Sequence, residues 1–118
     1  MTYEDFNAFC AALPATTHVV QWGGSDVWKV GGKVFAIGGW GGAAPAFIFK
    51  VSALAYEVLR DRPGLRPAPY LASRGMTWIQ HFAAPGLPDE ELMDHLRFSH
   101  DLVAKGLTKR VRAQLGLA

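Results

Sequence analysis

Pairs of glycines recur between short segments of alternating residues in the N-terminal half of the chain, and this pattern most constrains the fold. The segments HVVQW (18–22), DVWKV (26–30) and KVFAI (33–37) are separated by Gly23-Gly24 and Gly31-Gly32. Short alternating segments rich in β-branched and aromatic residues are typical of strands, and glycine pairs supply the positive φ angles of tight hairpin turns. The sequence therefore predicts an antiparallel meander.

The glycines before Lys33 also invite comparison with a phosphate-binding loop. Such a loop needs a glycine at position 27 and a serine or threonine at position 34, where this chain has Val27 and Val34. No predicted helix follows the glycines, although anion binding at a helix N-terminus would require one. The stretch is therefore interpreted as a hairpin whose turn is Gly31-Gly32.

A two-residue turn fixes which residues of the hairpin share a face, although a longer loop would change the register. The predicted pairs are Val30 with Lys33, Lys29 with Val34, and Trp28 with Phe35. One face then carries Trp28, Val30, Phe35 and Ile37, with Lys33 near its edge. The other face carries Val27, Lys29, Val34 and Ala36. The two lysines are thus expected on opposite faces, so they do not form a simple paired clamp.

Four helices are predicted from apolar periodicity and end signals. The first has Thr2 as its cap, buries Cys10 and ends before Pro14. The second, SALAYEVLRD (52–61), is capped by Ser52 and is expected to bury Leu54, Ala55, Val58 and Leu59. The third and longest has Pro88 at its first position and ends at Gly106. Its inward-facing residues are Leu92, Leu96, Ser99 and Val103. A short last helix follows Thr108, with Val111 and Leu115 facing inward.

Two more strands complete the predicted sheet, AFIFKV (46–51) and MTWIQHF (76–82). Between the second helix and the last strand, RPGLRPAPY (62–70) has three prolines and predicts an irregular, largely extended crossing. A helical turn is predicted to follow at LASRG (71–75). The order of elements predicts an α+β fold, an antiparallel sheet of about five strands with helices packed on one face. The 118 residues fit a single domain spanning 1–118.

Composition and residue spacing exclude several classes of function. No run reaches the ~20 apolar residues of a membrane span, the N-terminus lacks the features of a signal peptide, and the single cysteine fits a cytoplasmic protein. Ser99-His100-Asp101 are helix neighbours that project about 100° apart, so they cannot form a catalytic triad. His95 and His100 lack the spacing of a helical metal pair. We expect no enzyme activity, no cofactor, no metal and no membrane partner.

The tryptophans and basic residues leave alternatives open. Trp28 and Trp78 are expected to pack in the core, and Trp22 is expected to be partly exposed. Trp40 lies between two glycine pairs and either stacks on a base or anchors its loop. We favour the second interpretation. Basic residues occur in the hairpin, in the crossing segment and at the C-terminus: Lys29, Lys33, Arg66, Arg74, Lys109, Arg110 and Arg112. They are either solvated residues that complement helix C-terminal dipoles or contacts to nucleic acid.

Three blocks together resemble the MmcQ/YjbR family of small bacterial proteins: LPATTHVVQWGGSDVWKVGGKVFAIG, RPGLRPAPYLASRGMTWIQ and LPDEELMDHLRFSHDLVAKGL. The resemblance implies an α+β fold similar to frataxin and CyaY, also likened to a double-wing DNA-binding motif, and members are commonly labelled DNA-binding. The family signature falls on Trp22, Lys29, Val30, Gly31, Gly32, Lys33, Phe35, Pro67, Ala68, Tyr70, Trp78, Leu92, Ser99, Leu102 and Val103. The chain departs from the family at His100, often an aromatic, and in LASRGM, which is often more basic. Frataxins bind iron through an acidic ridge, for which this chain offers only Glu4 and Asp5 in the first helix.

Two hypotheses of function follow. The first is a non-catalytic DNA-binding module that uses Lys29, Lys33, Arg66, Arg74, Lys109, Arg110 and Arg112 for phosphate and Trp40 or Tyr70 for stacking. The alternative is a small-molecule or protein-interaction module with a site between the sheet and the proline-rich crossing. The oligomeric state is left open.

Overall fold

The computed structural model, which describes residues 1–71 and 76–117, combines a six-stranded antiparallel sheet with four helices. The strands are β1 (Thr16–Gln21), β2 (Ser25–Val30), β3 (Lys33–Gly38), β4 (Phe47–Lys50), β5 (Leu65–Pro67) and β6 (Trp78–His81). The helices are α1 (Tyr3–Ala12), α2 (Ala53–Leu59), α3 (Asp89–Lys105) and α4 (Lys109–Gln114). The predicted α+β class is therefore confirmed.

The sheet has the strand order β1-β2-β3-β4-β6-β5, with one strand more than the five expected. The additional strand is β5, which lies in the proline-rich segment predicted to be irregular. It pairs with β6 through Leu65–His81, Arg66–Gln80 and Pro67–Ile79. An edge strand needs ladder donors on one side only, so it tolerates a proline that an interior strand would not.

The main core lies between the helices and one face of the sheet, which we call the helix face. Its fully buried members include Phe35, Phe49 and Ile79 from the sheet, Phe6 from α1, and Leu92 and Leu96 from α3. Leu59 of α2 joins this core, and Val111 and Leu115 of α4 pack against it. Each large apolar side chain buried here contributes roughly 1.5–3 kcal/mol to folding.

A β-bulge between β2 and β3 changes the predicted faces of the hairpin. The two pairs nearest the turn are as predicted, Val30 with Lys33 and Lys29 with Val34. Beyond them, Trp28 pairs with Ala36 instead of Phe35. The extra residue places Phe35 and Ala36 together in the main core and turns Ile37 to the opposite face, beside Val27. The predicted faces of Ala36 and Ile37 are wrong because a bulge breaks the alternation of side chains along a strand.

Helix α2 buries a different side from the one predicted. Leu59 is buried and Ala55 and Tyr56 pack against the core, but Leu54 is 77% exposed and Val58 67% exposed. Leu54 and Val58 are four residues apart and therefore share the outer side of the helix. Apolar residues surround this seven-residue helix, so periodicity alone could not identify its buried side.

The helix ends follow the sequence closely. The side chains of Thr2, Ser52 and Thr108 each accept a hydrogen bond from a backbone N–H in the first turn of the helix that follows. Gly106 is the C-cap of α3, as predicted. Pro88 is the N-cap of α3 and Asp89 its first residue, one position later than expected. These caps fix where the helices begin against the sheet.

Candidate nucleic-acid interface

The sheet face opposite the helices, which we call the open face, has a small core of its own. Val27, Ile37 and Ile48 at its centre are at most 1% exposed, and Trp40 is one of the partly buried residues that pack against them. Trp40 therefore anchors the glycine loop between β3 and β4 against the sheet. This agrees with the interpretation that the sequence favoured for Trp40.

Three aromatic side chains form a continuous row on the open face. Trp22 from the β1–β2 turn lies with its ring centroid 5.4 Å from that of Trp40. On its other side, Trp40 meets Tyr70 edge to face at 5.9 Å. Trp22 is 53% exposed and Tyr70 77% exposed. We call these three residues the aromatic row, and its two outer members present apolar ring surface to solvent.

The backbone of all three aromatic residues is in the left-handed region. The φ angles are +50° at Trp22, +63° at Trp40 and +66° at Tyr70. Among the described residues, Ala15 is the one further non-glycine residue with positive φ. Such a conformation costs on the order of 1–3 kcal/mol for a non-glycine residue and persists where its surroundings enforce it. Three strained positions that converge on one row indicate that the placement of these rings is specified by the fold.

Arg66, predicted to contact phosphate, also holds the loop that carries Trp40. Its Nε donates a hydrogen bond to Gln80 Oε1 at 2.7 Å. The amide nitrogen of Gln80 in turn donates to the carbonyl of Gly39 at 3.3 Å. The guanidinium of Arg66 lies 4.3 Å from the ring centroid of Phe82. Gln80 is fully buried, and both ends of its amide are satisfied, as buried polar groups require.

The charged strand residues on the open face are all basic. Strand alternation and register place Lys29, Lys50 and Arg66 on this face. Asp26 is the one acidic residue within the six described strands. It lies on the opposite side of β2, where its carboxylate is 2.9 Å from Nε2 of His18. Within the described strands, the charges on the open face are therefore all positive.

The eight described residues among the nine predicted as a site do not form one surface. Lys29, Trp40, Arg66 and Tyr70 belong to the open face. Lys109, Arg110 and Arg112 belong to α4, which packs on the helix face through Val111. Lys33 lies at the end of the sheet, at the start of β3, and Arg74 lies outside the described residues. The basic residues are thus divided between two sides of the molecule, because the C-terminal segment folds back onto the helices.

Ser99 and His100, which have the residue types of a catalytic triad, hydrogen-bond to backbone carbonyl groups. Ser99 Oγ lies within hydrogen-bond distance of the carbonyl oxygens of Lys50 and His95. Nε2 of His100 is 2.7 Å from the carbonyl oxygen of Pro14, so this nitrogen is the donor. Burial raises the pKa of the Cys10 thiol well above its usual range, which keeps it protonated. Each of these groups has a structural role in the described chain.

Within residues 1–71 and 76–117, no three side chains of His, Cys, Asp or Glu are grouped so that they could hold a metal ion. Asp5 instead completes a capping box with Thr2 at the start of α1. No described helix is long and apolar enough to cross a membrane.

These features define a small α+β protein with helices on one face of its sheet and a basic, aromatic surface on the other. The family model named YjbR matches residues 11–102, and the chain belongs to the YjbR family. The crystal structure of Deinococcus radiodurans protein DR2400, described as a DUF419 domain, is similar with a TM-score of 0.85 and 27% sequence identity. That similarity covers 99% of this chain and 89% of the other. No curated protein matches the chain.

Sequence reasoning missed two members of the open face. Lys50 is the last residue of β4. Strand alternation in AFIFK places Lys50 on the same face as Ile48, and this was the available signal for it. Trp22 was expected to be partly exposed, but its contact with Trp40 was not anticipated. Trp22 and Trp40 both lie directly beside glycine pairs. This shared pattern is the one signal in the sequence that pointed to a contact between them.

Proposed function

We propose that this chain is a non-catalytic module that binds single-stranded nucleic acid, including DNA, across the open face. The observation that supports this most is the aromatic row beside strands whose charges on that face are all basic. Proteins that hold single strands combine aromatic rings, on which bases stack, with cations that follow the phosphates. Trp22 and Tyr70 supply exposed rings, and Lys29 supplies a cation on the same face, toward the hairpin end of β2.

A single strand suits this surface better than a duplex does. The faces of bases are hidden inside a duplex, so exposed rings on a sheet would gain little from it. A duplex reader would instead be expected to gather many phosphate contacts on one side. Here Lys109, Arg110 and Arg112 belong to α4 on the helix side, away from the aromatic row.

The absence of catalysis remains part of the proposal. It is supported by Ser99 and His100, whose polar atoms are engaged by backbone carbonyls, and by the buried thiol of Cys10. A nucleic-acid ligand is also consistent with the cytoplasmic location predicted from the sequence. The predicted likeness to frataxin and CyaY stays a prediction.

The decisive experiment is a fluorescence anisotropy titration with a labelled oligo-dT strand at two salt concentrations. We expect binding that weakens as salt rises, because Lys29 and its neighbours release counterions from the phosphates. The same strand annealed to its complement should bind more weakly. The proposal is wrong if micromolar protein does not bind the single strand in low salt, or if the duplex binds more tightly.

Matched variants locate the surface. Trp22→Ala should weaken binding by about tenfold, in line with the loss of one stacked base. Phe98→Ala is the control, since Phe98 of α3 is 51% exposed, close to the 53% of Trp22, but lies on a helix.

Lys29→Met should lower the salt slope of binding by about one, whereas Lys109→Met should leave that slope unchanged. Equal effects of Lys29→Met and Lys109→Met would contradict a site on the open face.

A further inference from the structure

A cavity of about 400 Å³ lies at the end of the sheet where β3 begins and β4 ends. The residues that matter for its chemistry are Lys33, Val34, Lys50, Trp78, Leu102 and Val103. The last two belong to the C-terminal part of α3. Sites for small molecules typically enclose about 300–1,000 Å³ and combine apolar walls with a few polar groups. This cavity meets both conditions.

Two lysines bring positive charge to the cavity, with no counterion among the described residues. Within residues 1–71 and 76–117, the ammonium groups of Lys33 and Lys50 form no ion pair and no hydrogen bond. The Lys50 ammonium lies 6.0 Å from the ring centroid of Trp78. The remaining side chains of the lining are apolar: Val34, Leu71, Met76, Leu102 and Val103. An anionic group attached to an apolar body complements such a lining.

Trp78 adds an aromatic side chain to the cavity wall. This side chain lines the cavity and its residue is only 5% exposed. Its indole N–H is buried and has no hydrogen-bond partner within the described chain. Because this nitrogen has almost no surface accessible to solvent, Trp78 contributes its ring to the cavity wall and not its donor.

We propose that this cavity binds a small amphipathic acid, with one carboxylate or phosphate group and an apolar body. The acidic group is held by Lys33 and Lys50, and the apolar body lies against Val34, Leu102 and Trp78. This site corresponds to the alternative predicted from the sequence, since it lies beside the crossing segment. The cavity shares Lys50 with the open face, but Lys33 lies at the sheet end and outside the aromatic row, so variants of Lys33 separate this site from nucleic-acid binding.

The competing explanation is purely structural. Lysines near the C-terminal end of a helix offset the partial negative charge of its last carbonyl groups. Gly106, the C-cap of α3, is also in the cavity lining. If Lys33 and Lys50 had only this role, the cavity would not bind acids.

Calorimetric titration of the full chain with phenylacetate and with phenyl phosphate tests the proposal. Phenylacetamide, which has the same ring but no charge, is the matched control ligand. At least one acid should bind saturably at one site, and phenylacetamide should bind about tenfold more weakly or not at all. The tighter of the two acids identifies the preferred acidic group. In amide NMR spectra, the indole resonance of Trp78, assigned with Trp78→Phe, should shift on binding.

Lysine variants link the binding to the cavity. Lys33→Met and Lys50→Met should each weaken binding of the acid by about tenfold. Lys29→Met should not weaken it, because Lys29 is outside the cavity lining. Lys33→Met should leave oligo-dT binding unchanged, which separates this site from the aromatic row. The proposal is overturned if neither acid binds saturably, if phenylacetamide binds as tightly, or if Lys29→Met has the same effect as the other two variants.

Discussion

Arg66 and the buried Gln80 are joined by a 2.7 Å hydrogen bond, and through that amide Arg66 fixes the loop that carries Trp40. The bond crosses the outermost strand pair, because Arg66 of β5 is the register partner of Gln80 in β6. The same arginine packs over Phe82. A residue that the sequence marks only as basic is therefore part of the support for the aromatic row.

Replacement of either partner should destabilise the fold. Gln80→Met leaves the Gly39 carbonyl without its donor, and Arg66→Met leaves the buried Gln80 oxygen unpaired, each at about 1–3 kcal/mol in the free energy of unfolding. Urea unfolding measures both, and the double variant should lose less than the sum. Arg97→Met is the control, since Arg97 also packs over a phenylalanine, but its one ion pair within the described residues is with exposed Asp94. Strict additivity of the two substitutions would contradict the coupling.

The glycines of the loop are predicted to differ sharply in their tolerance of a side chain. Gly39 has φ +150°, and a Cβ there would lie 2.5 Å from Ser25 Oγ. Gly39→Ala should therefore lower the free energy of unfolding by about 1–3 kcal/mol. Gly42 has nothing within 4 Å of such an atom, so Gly42→Ala should change it by at most about 0.5 kcal/mol. Thermal unfolding of the two variants side by side checks this, and equal melting temperatures would contradict it.

The outer side of α2 should be insensitive to truncation. Leu54→Ala is expected to change the free energy of unfolding by at most about 0.5 kcal/mol, because Leu54 is mostly exposed. Leu59→Ala, on the buried side of the same helix, should cost about 2–5 kcal/mol. Urea midpoints of the two variants decide between the observed orientation of α2 and the one predicted from the sequence. A larger loss from Leu54→Ala than from Leu59→Ala would favour the latter.

Stability should fall as the solution becomes acidic. Burial is the main cause that lowers the pKa of His81 and of His95. Below the usual histidine value of about 6.5, the unfolded chain then binds more protons than the folded one, so the free energy of unfolding decreases as pH falls. Urea midpoints at about pH 7.5 and about pH 5.5 should show this loss.

Substitution of the two histidines tests the cause of that pH dependence. The double variant His81→Gln with His95→Gln should lose less stability than the natural chain over the same pH interval, whatever its absolute stability. An unchanged pH dependence would show that these two side chains are not responsible.

Local signals in the sequence predicted most of the elements. Thr2 and Pro14 bracket α1, and the glycine pairs mark the turns of the meander. These features depend on a few adjacent residues, because caps and tight turns are set by local backbone conformation. Family resemblance and the α+β class were recognisable for the same reason.

The features that the sequence did not reveal depend on contacts between distant segments. The bulge beside Trp28 satisfies the packing of Phe35 and Ala36 against the helices, which pattern alone does not encode. Strand β5 forms because β6 offers it an edge, despite Pro67. The aromatic row joins three connections that are far apart in the chain, and no spacing rule brings Trp22 to Trp40. The division of the basic residues follows likewise from where α4 packs.

The proline of β5 also determines how copies of this molecule can associate. The N–H of Ala68 bonds to Trp78 on β6, so alternation turns the backbone nitrogens of Leu65 and Pro67 outward. The Leu65 N–H is already bonded to the carbonyl of Arg62, and proline has no N–H to donate. This border of the sheet thus lacks outward backbone donors for another strand. Polymerisation by strand addition requires two edge strands that can each pair with another molecule. Because β5 lacks such donors, pairing through β1 would produce a dimer and not a longer assembly.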